Sequence, residues 1–466
     1  MPHRLGLTEI AALVRQRKLS PIEVVDAHLK QIETLNPKLN AFVTLLGDEA
    51  RQTARRLENV PAEERGPLHG VALTVKDSFD YEGVPTYCGS RFFGKKAATE
   101  DATCVKRFQA AGAAILGKTN TPEFLANYES DNHIVGRSNN PWDLERTPGG
   151  SSGGEAAAIA ARMSAGGMGS DGGGSVRIPA HFCGIVGLKP TPGRVSAAGH
   201  VPPINHPGGL LGVAGPMARS VKDVKALFEV LSPYDINDPF AVPVPLREPS
   251  LAGLKIGVMD QFLKAPVQQI MTDTVHKAAL ALEGLGFPVE PFTPVGFDRA
   301  PNVWAFFFTD LPSRATAKFI AGREQDAHWT GTEFLSKVVG TPEPGWEKVL
   351  EMLAERDRLR ISLMRQMAGH RVLLLPPCGV PAFRHRERGW ETSAKKIGLF
   401  EAMMPVTAFN LVGFPGLVVP FGFTSDGIPV GVQLVGRPYD EELLLEVGTR
   451  LEEARGPFPA PPDVGR

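Results

Sequence analysis

The sequence contains few cysteines, and their spacing gives no support to the sites that cysteine most often forms. The four thiols are Cys88, Cys104, Cys183 and Cys378, and no two of them form a C-x-x-C pair. This spacing makes a zinc site or a disulfide framework unexpected, so we expect no metal and no cofactor. Isolated thiols are typical of a reducing compartment, which favours a cytoplasmic protein.

Neither sign of charge dominates, and long hydrophobic runs are also missing. The chain has 50 Lys and Arg against 51 Asp and Glu, a formal net charge of −1. Such a surface lacks the positive footprint that attracts nucleic acid or acidic lipid. The first residues, 1–4, do not resemble a signal peptide. The longest uncharged stretch, 402–425, holds three prolines, which predicts buried strands and turns and no membrane span.

Apolar periodicity predicts helices and strands in alternation. Ser20, Pro21 and Glu23 form the pattern of a capped helix start. Alternating apolar residues predict a strand over 71–75 that ends at Lys76. Helices are also predicted at 102–111 and 155–162, and strands at 113–116, 254–259, 372–377 and 417–423. The alternation predicts an α/β fold with a central sheet, whose two halves are connected by the proline-rich segment 238–249.

Two short glycine motifs match well-known patterns in the wrong context. Gly167–Gly172 fits G-x-G-x-x-G, but a dinucleotide site needs a strand before the motif and a helix after it. Gly149–Gly153 fits G-x-S-x-G around Ser151, yet the residues before it are polar and turn-like rather than a strand. That hydrolase pattern also needs a later acid and histidine, and no histidine here lies in a telling context.

The wider segment around these glycines carries a more specific pattern. It resembles the amidase signature family, and is similar to bacterial amidases and to enzymes like fatty acid amide hydrolase. The similar blocks span about residues 7 to 453 and include 118–123, 140–142, 149–154, 170–179, 184–191, 410–415 and 431–437. The resemblance implies a central mixed twisted β-sheet covered on both sides by α-helices. It implies one domain over 1–466, with a helical region (1–65), a catalytic core (66–237) and a second half (250–466).

The resemblance also implies the catalytic residues. By position in the motifs, Ser175 is the nucleophile, Ser151 is a relay serine that follows a cis peptide bond, and Lys76 is the base. The chemistry is consistent with this assignment, because a serine hydroxyl needs a base to remove its proton. Lysine can be that base only when it is neutral, and burial at the end of an apolar strand favours the neutral form.

The glycines before the nucleophile predict an oxyanion hole, since backbone N–H groups can converge on a carbonyl oxygen where no side chain blocks the approach. Three further residues are expected to support the site: a charged pair that holds the glycine loop, and a serine that donates a hydrogen bond. The oxyanion donors are expected to be Gly172, Gly173, Gly174 and Ser175, and the supporting residues Asp171, Arg177 and Ser152.

The substrate pocket is expected to lie on the segment with Leu125, Ala126 and Asn127, completed by residues 304–308 and 403–406. Because these candidates are mostly apolar or aromatic, we expect a hydrolase that cleaves C–N bonds of neutral, hydrophobic or aryl amides. Esters and carbamates (urethanes) are further expected substrates. We expect a small-molecule amide as the only ligand, with no nucleic acid, and the resemblance is compatible with a homodimer.

Two alternatives remain open. The glutamine-using subunit of tRNA-dependent amidotransferases belongs to the same family, which implies an acidic residue about seven positions before Asn410. That position is Met403, which argues against this alternative. The other is a binding protein on a catalytically inactive amidase scaffold, against which the intact Ser175, Ser151 and Lys76 speak. A fluorophosphonate probe that labels Ser175 would exclude it.

Overall fold

One large sheet organises the chain. The computed structural model describes residues 1–94, 96–204 and 211–462. Eleven strands form the sheet in the order β1-β3-β2-β4-β6-β5-β12-β13-β9-β7-β8, and β10 and β11 form a separate hairpin. The strands are β1 Phe42–Leu45, β2 Ala72–Lys76, β3 Ala114–Thr119, β4 Gly166–Asp171, β5 Val186–Lys189, β6 Val213–Ala218, β7 Ile256–Val258, β8 Val289–Pro291, β9 Val372–Leu375, β10 Gly389–Glu391, β11 Lys396–Gly398, β12 Gly416–Phe423 and β13 Pro429–Gly436.

The sheet is mixed. Strand β2 runs parallel to β3 and β4, and β7 runs parallel to β8 and β9, whereas the remaining neighbours pair antiparallel. The parallel group containing β2 carries Lys76 at its end, next to Thr119 of β3. The antiparallel pair β12–β13 connects the half that contains β4, β5 and β6 with the half that contains β7, β8 and β9. This arrangement confirms the predicted α/β fold with a central mixed sheet.

Helices flank this sheet. They bury apolar stripes against the strands, as in the packing of α15 on β12 and of α8 on β13. The helices are α1 Leu7–Arg15, α2 Pro21–Leu39, α3 Gly47–Glu58, α4 Thr103–Ala110, α5 Gly153–Ala160, α6 Arg177–Cys183, α7 Val221–Leu231, α8 Gln269–Gly284, α9 Ala300–Ala305, α10 Leu311–Ile320, α11 Trp329–Thr332, α12 Trp346–Gln366, α13 Leu399–Ala402, α14 Met404–Leu411 and α15 Glu441–Arg455.

Most of the predicted elements are present within a few residues, including the strand that ends at Lys76 and the alanine-rich helix α5. The stretch 402–425 differs in part, because its first half forms helix α14 rather than strands and turns. Pro405 lies in the first turn of α14, where a missing N–H costs no hydrogen bond. The glycine pattern 167–172 begins within strand β4 itself, so it cannot be the strand-to-helix turn that a dinucleotide needs.

Helix α2 begins with the predicted capping box. The Ser20 hydroxyl accepts a hydrogen bond from the Glu23 N–H at 3.1 Å, and the Glu23 carboxylate accepts one from the Ser20 N–H at 2.8 Å. We predict that Ser20→Ala lowers the free energy of unfolding by about 1 kcal/mol, measured by urea denaturation. The control variant Ser20→Asp keeps the acceptor and should stay close to wild type. An equal loss in both variants would contradict the role of the cap.

Candidate active site

Lys76 ends strand β2 inside the protein. Its side chain is fully buried, and its Nζ lies 2.6 Å from Ser151 Oγ and 3.0 Å from Ser170 Oγ. Within the described ranges it forms no ion pair with a carboxylate. The carboxyl group of Glu155, which lies nearby, is held instead by the hydroxyl groups of Thr74 and Thr119. Lys76 therefore meets neutral hydroxyl groups where a buried lysine normally meets an acid.

This environment changes the acidity of Lys76. Burial disfavours the charged ammonium form, and it lowers the pKa of Lys76 to about 7 against the weaker opposing attraction of Cys88, Asp171 and Glu155. A substantial fraction of Lys76 is then neutral near pH 7, so this lysine can accept a proton. Burial also raises the pKa of Glu155 to about 7, which makes it a second group that titrates in the same range.

Ser151 lies directly before helix α5, and the Gly150–Ser151 peptide bond is cis. A side chain at Gly150 would collide with backbone, since an added Cβ would lie 2.5 Å from the Asn127 carbonyl oxygen. The next residue, Ser152, donates its N–H to the Ser175 carbonyl at 3.1 Å. This bond fixes the segment that carries Ser151 against the segment that carries Ser175. The hydrogen bonds of the described residues include none between the two serine hydroxyls.

The turn that carries Ser175 is built around the carboxylate of Asp171. That carboxylate accepts the N–H groups of Gly174 at 2.7 Å and Val176 at 3.1 Å, and it pairs with the Arg177 guanidinium at 3.0 Å. Burial alone would raise the pKa of Asp171, but the charge of Arg177 holds it well below its usual range. Gly174 has φ +106°, a backbone conformation that side chains rarely adopt.

Two aromatic side chains orient the peptide groups of this turn. Trp304 Nε1 donates to the Gly172 carbonyl at 2.9 Å, and the Tyr128 hydroxyl donates to the Gly173 carbonyl at 2.7 Å. In a trans peptide the N–H points opposite to the preceding carbonyl, so the first bond directs the Gly173 N–H away from Trp304. The Gly174 N–H is taken by Asp171. The amides of Gly172, Gly173 and Ser175 are therefore the candidate oxyanion donors, and Gly174 differs from the expectation.

A small cleft opens at Ser175. The predicted pocket residues Leu125, Ala126 and Asn127 all contribute to its wall, as do Trp304 and Phe308 of the second half. Its volume is only about 50 Å³, far below the roughly 300–1,000 Å³ of pockets for drug-sized ligands. The aromatic rings fill the space that a large hydrophobic acyl group would need. Met403 is buried in an apolar cluster behind the cleft and does not contribute to its wall.

Several side chains at the site were not predicted as functional. Ser170 contacts Lys76, and Tyr128 holds the glycine turn. Asn410 donates to Asp171 at 2.9 Å, and Gln433 accepts from Arg177 at 2.7 Å. A signal was present for the last two, because each is a buried amide inside an otherwise apolar stretch, and buried polar groups need partners.

The remaining candidate groups lie apart from the site chemistry. Burial raises the pKa of the Cys183 thiol well above its ordinary value, as expected for a packed thiol. Burial also lowers the pKa of His181 to about 4, and its ring accepts from the Gly431 N–H. Within the described part of the chain, no three His, Cys, Asp or Glu side chains are placed to bind a metal ion. None of the helices in these ranges combines the length and the apolar character that crossing a membrane requires.

The Asp171–Arg177 pair should dominate the stability of the glycine turn. We predict that Asp171→Ala lowers the free energy of unfolding by about 3–5 kcal/mol, because it leaves the buried Arg177 charge without a partner. Denaturant unfolding measures the change. The double variant Asp171→Leu/Arg177→Met removes both charges and should lose less than Asp171→Ala alone. A loss in Asp171→Ala of less than about 1 kcal/mol would show that the pair does not hold the turn.

Comparison with known proteins places this geometry in a family. The family model Amidase matches residues 23–445. The chain is 34% identical to a subunit of glutamyl-tRNA(Gln) amidotransferase from Methylococcus capsulatus, over 97% of each chain. The solved structure of the subunit with the same name from Thermotoga maritima superposes with TM-score 0.80 at 29% identity, covering 99% and 98% of the two chains. A chain from a vestigial protein complex, which reveals the origins of an s-triazine catabolic enzyme, gives TM-score 0.89 at 27% identity, covering 96% and 98%.

These relatives correct two expectations. The expected hydrolase of neutral hydrophobic amides is wrong, because near-full-length relatives are amidotransferase subunits, and the cleft has no room for a large acyl group. The expectation of a small-molecule amide as the only partner is also wrong, because each of these relatives is one chain of a larger enzyme. The resemblance to the family is confirmed. The chain belongs to the amidase signature family, whose enzymes act on amide C–N bonds.

Proposed function

We propose that this chain is the amide-cleaving subunit of an amidotransferase, and that it releases ammonia from a carboxamide through an acyl-enzyme on Ser175. The observation that carries this proposal is the 2.6 Å contact between the buried Lys76 Nζ and Ser151 Oγ, on the segment that hydrogen-bonds the backbone of Ser175. A base and a hydroxyl relay beside a serine in the wall of a cleft are the components of nucleophilic acyl transfer.

The proposed reaction moves one proton in each direction. Neutral Lys76 takes the proton of Ser151, and Ser151 takes the proton of Ser175, whose Oγ attacks the carboxamide carbon. The N–H groups of Gly173 and Ser175 stabilise the negative oxygen of the tetrahedral intermediate. Ser151 then returns a proton to the leaving nitrogen, the C–N bond breaks, and ammonia departs. Water attacks the ester on Ser175 by the same relay and frees the acid.

The size of the cleft supports a carboxamide at the reacting end of the substrate. A volume of about 50 Å³ admits a few non-hydrogen atoms, since one water takes about 30 Å³ of liquid. A terminal carboxamide meets this limit, whereas an aryl group does not. The names of the relatives support glutamine as the amide donor, a glutamyl-tRNA as the acceptor of the ammonia, and at least one protein partner.

Several finer expectations stay predictions from the sequence. They are the cytoplasmic location, the esterase and urethanase side activities, and the division of one domain into regions 1–65, 66–237 and 250–466. The same holds for the catalytic roles of Lys76 and Ser151. An expression and fractionation experiment would test the first of these.

We predict that Ser175→Ala and Ser151→Ala abolish most ammonia release from L-glutamine, and that Lys76→Met lowers kcat by about 10²–10⁴ because the relay loses its base. A coupled ammonia assay measures the rates. The control is Ser78→Ala, since Ser78 is buried two residues after Lys76 and its hydroxyl has no hydrogen-bond partner among the described residues. Wild-type turnover in Ser151→Ala would contradict the relay.

We predict that kcat/KM rises with pH through about 7 and then levels, because Lys76 must lose its proton to act as the base and its pKa is lowered to about 7. Below that pH the rate should fall about tenfold per pH unit. Because Glu155 also titrates near 7, Glu155→Gln is the control and should keep the inflection. Loss of the inflection in Glu155→Gln would assign it to the carboxyl group and overturn the role of Lys76.

A further inference from the structure

A second cavity adjoins the cleft at Ser175. The side chains of Trp304, Thr309 and Phe400 contribute to the walls of both. The second cavity has a volume of about 240 Å³, which corresponds to roughly eight waters at about 30 Å³ each. A substrate with its carboxamide at Ser175 would extend into this space. We call it the head-group cavity.

Asp310 brings a negative charge to the wall of the head-group cavity. It ends the π-helical turn Phe306–Asp310, a rare element that is frequent at functional sites. Its side chain is partly buried, and in the described part of the chain it forms no hydrogen bond and no ion pair. Burial raises the pKa of Asp310, against the attraction of Arg314 and Lys337. A partly buried carboxylate without a partner is suited to bind a cation.

Lys337 brings a positive charge to the same cavity. Its Nζ lies 3.3 Å from the centroid of the Phe400 ring and 5.7 Å from that of Phe334, and both rings also contribute to the wall of the cleft at Ser175. Partial burial lowers the pKa of Lys337, against the attraction of Asp310 and Glu333. The ion pairs of the described residues do not include one between Lys337 and Asp310, so the two charges stay available to a ligand.

The neighbouring charges are already engaged. Arg314 donates to the Thr341 carbonyl at 3.1 Å and to the Thr341 hydroxyl at 2.6 Å. Glu333 pairs with Arg388 and accepts from Asn127 at 2.6 Å. Asp310 and Lys337 are thus the two charged side chains of the head-group cavity, one of each sign.

We infer that the head-group cavity binds the zwitterionic end of an α-amino acid amide, with Asp310 holding the α-ammonium group and Lys337 the α-carboxylate. This inference rests on the proposed function, which places the carboxamide at Ser175. A carboxylate and an ammonium group held apart on one wall match a ligand that carries both charges on one carbon. The position of Asp310 also accounts for the absence of an acid at Met403, because the ammonium group is bound from another element.

The test measures how well amides protect Ser175 of the full chain from a fluorophosphonate probe. Four amides separate the two charges: L-glutamine, glutaramate (no α-ammonium), γ-aminobutyramide (no α-carboxylate) and butyramide (neither). For the wild type we expect L-glutamine to protect at the lowest concentration. Asp310→Asn should raise the half-protecting concentration about tenfold for L-glutamine and γ-aminobutyramide, and leave glutaramate and butyramide unchanged.

Lys337→Met should show the complementary pattern, with about tenfold weaker protection by L-glutamine and glutaramate only. Asp310→Glu keeps the charge and should restore most of the protection. The matched control is Asp298→Asn, because Asp298 is exposed and does not contribute to the cavity wall. Protection by L-glutamine that is no better than by butyramide, or that is unchanged in Asp310→Asn, would overturn the inference. Failure of Ser175 to react with the probe at all would instead refute the proposed function.

Discussion

A buried lysine without a carboxylate partner is the constraint on which the rest of the site depends. The neighbouring strand offers the contrast, since Lys118 is equally buried but lies 3.0 Å from Asp77. Lys76 has only the hydroxyl groups of Ser151 and Ser170 within hydrogen-bond distance among the described residues. An ammonium group in such a place is costly, so the neutral form gains weight. The protein thereby obtains a proton acceptor near pH 7 from a residue that is ordinarily charged.

The second requirement is that the nucleophile stays in place beside this lysine. Ser175 follows a run of glycines, which is a flexible sequence, yet the Asp171 carboxylate binds two N–H groups of that run and the Arg177 guanidinium. Asn410 and Gln433 extend the same network to helix α14 and strand β13. A rigid turn fixes the amides before charge develops on the substrate, which is where electrostatic stabilisation is strongest. Stability and proposed catalysis thus share one ion pair.

The sequence predicted the sheet and the helices well because apolar periodicity follows the core, as at the strand ending in Lys76. It also brought Lys76, Ser151 and Ser175 together, through motifs rather than through spacing. It failed where side chains from distant segments decide the outcome. Whether Trp304 and Phe308 frame a large pocket or fill it depends on packing across the cleft. Likewise, the role of Gly174 depends on the reach of Asp171. Met403 misled because a charge can be supplied by another element.

The proposed chemistry as a whole depends on transfer of the acyl group of a carboxamide to Ser175. The sharpest test is to incubate the protein with L-glutamine, quench with acid during turnover, and locate the acyl ester by peptide mapping and mass spectrometry. We expect a γ-glutamyl ester on the peptide that contains Ser175, and no ester in Ser175→Ala. An ester on Ser151, or ammonia release with no ester on either serine, would contradict the proposed acyl transfer.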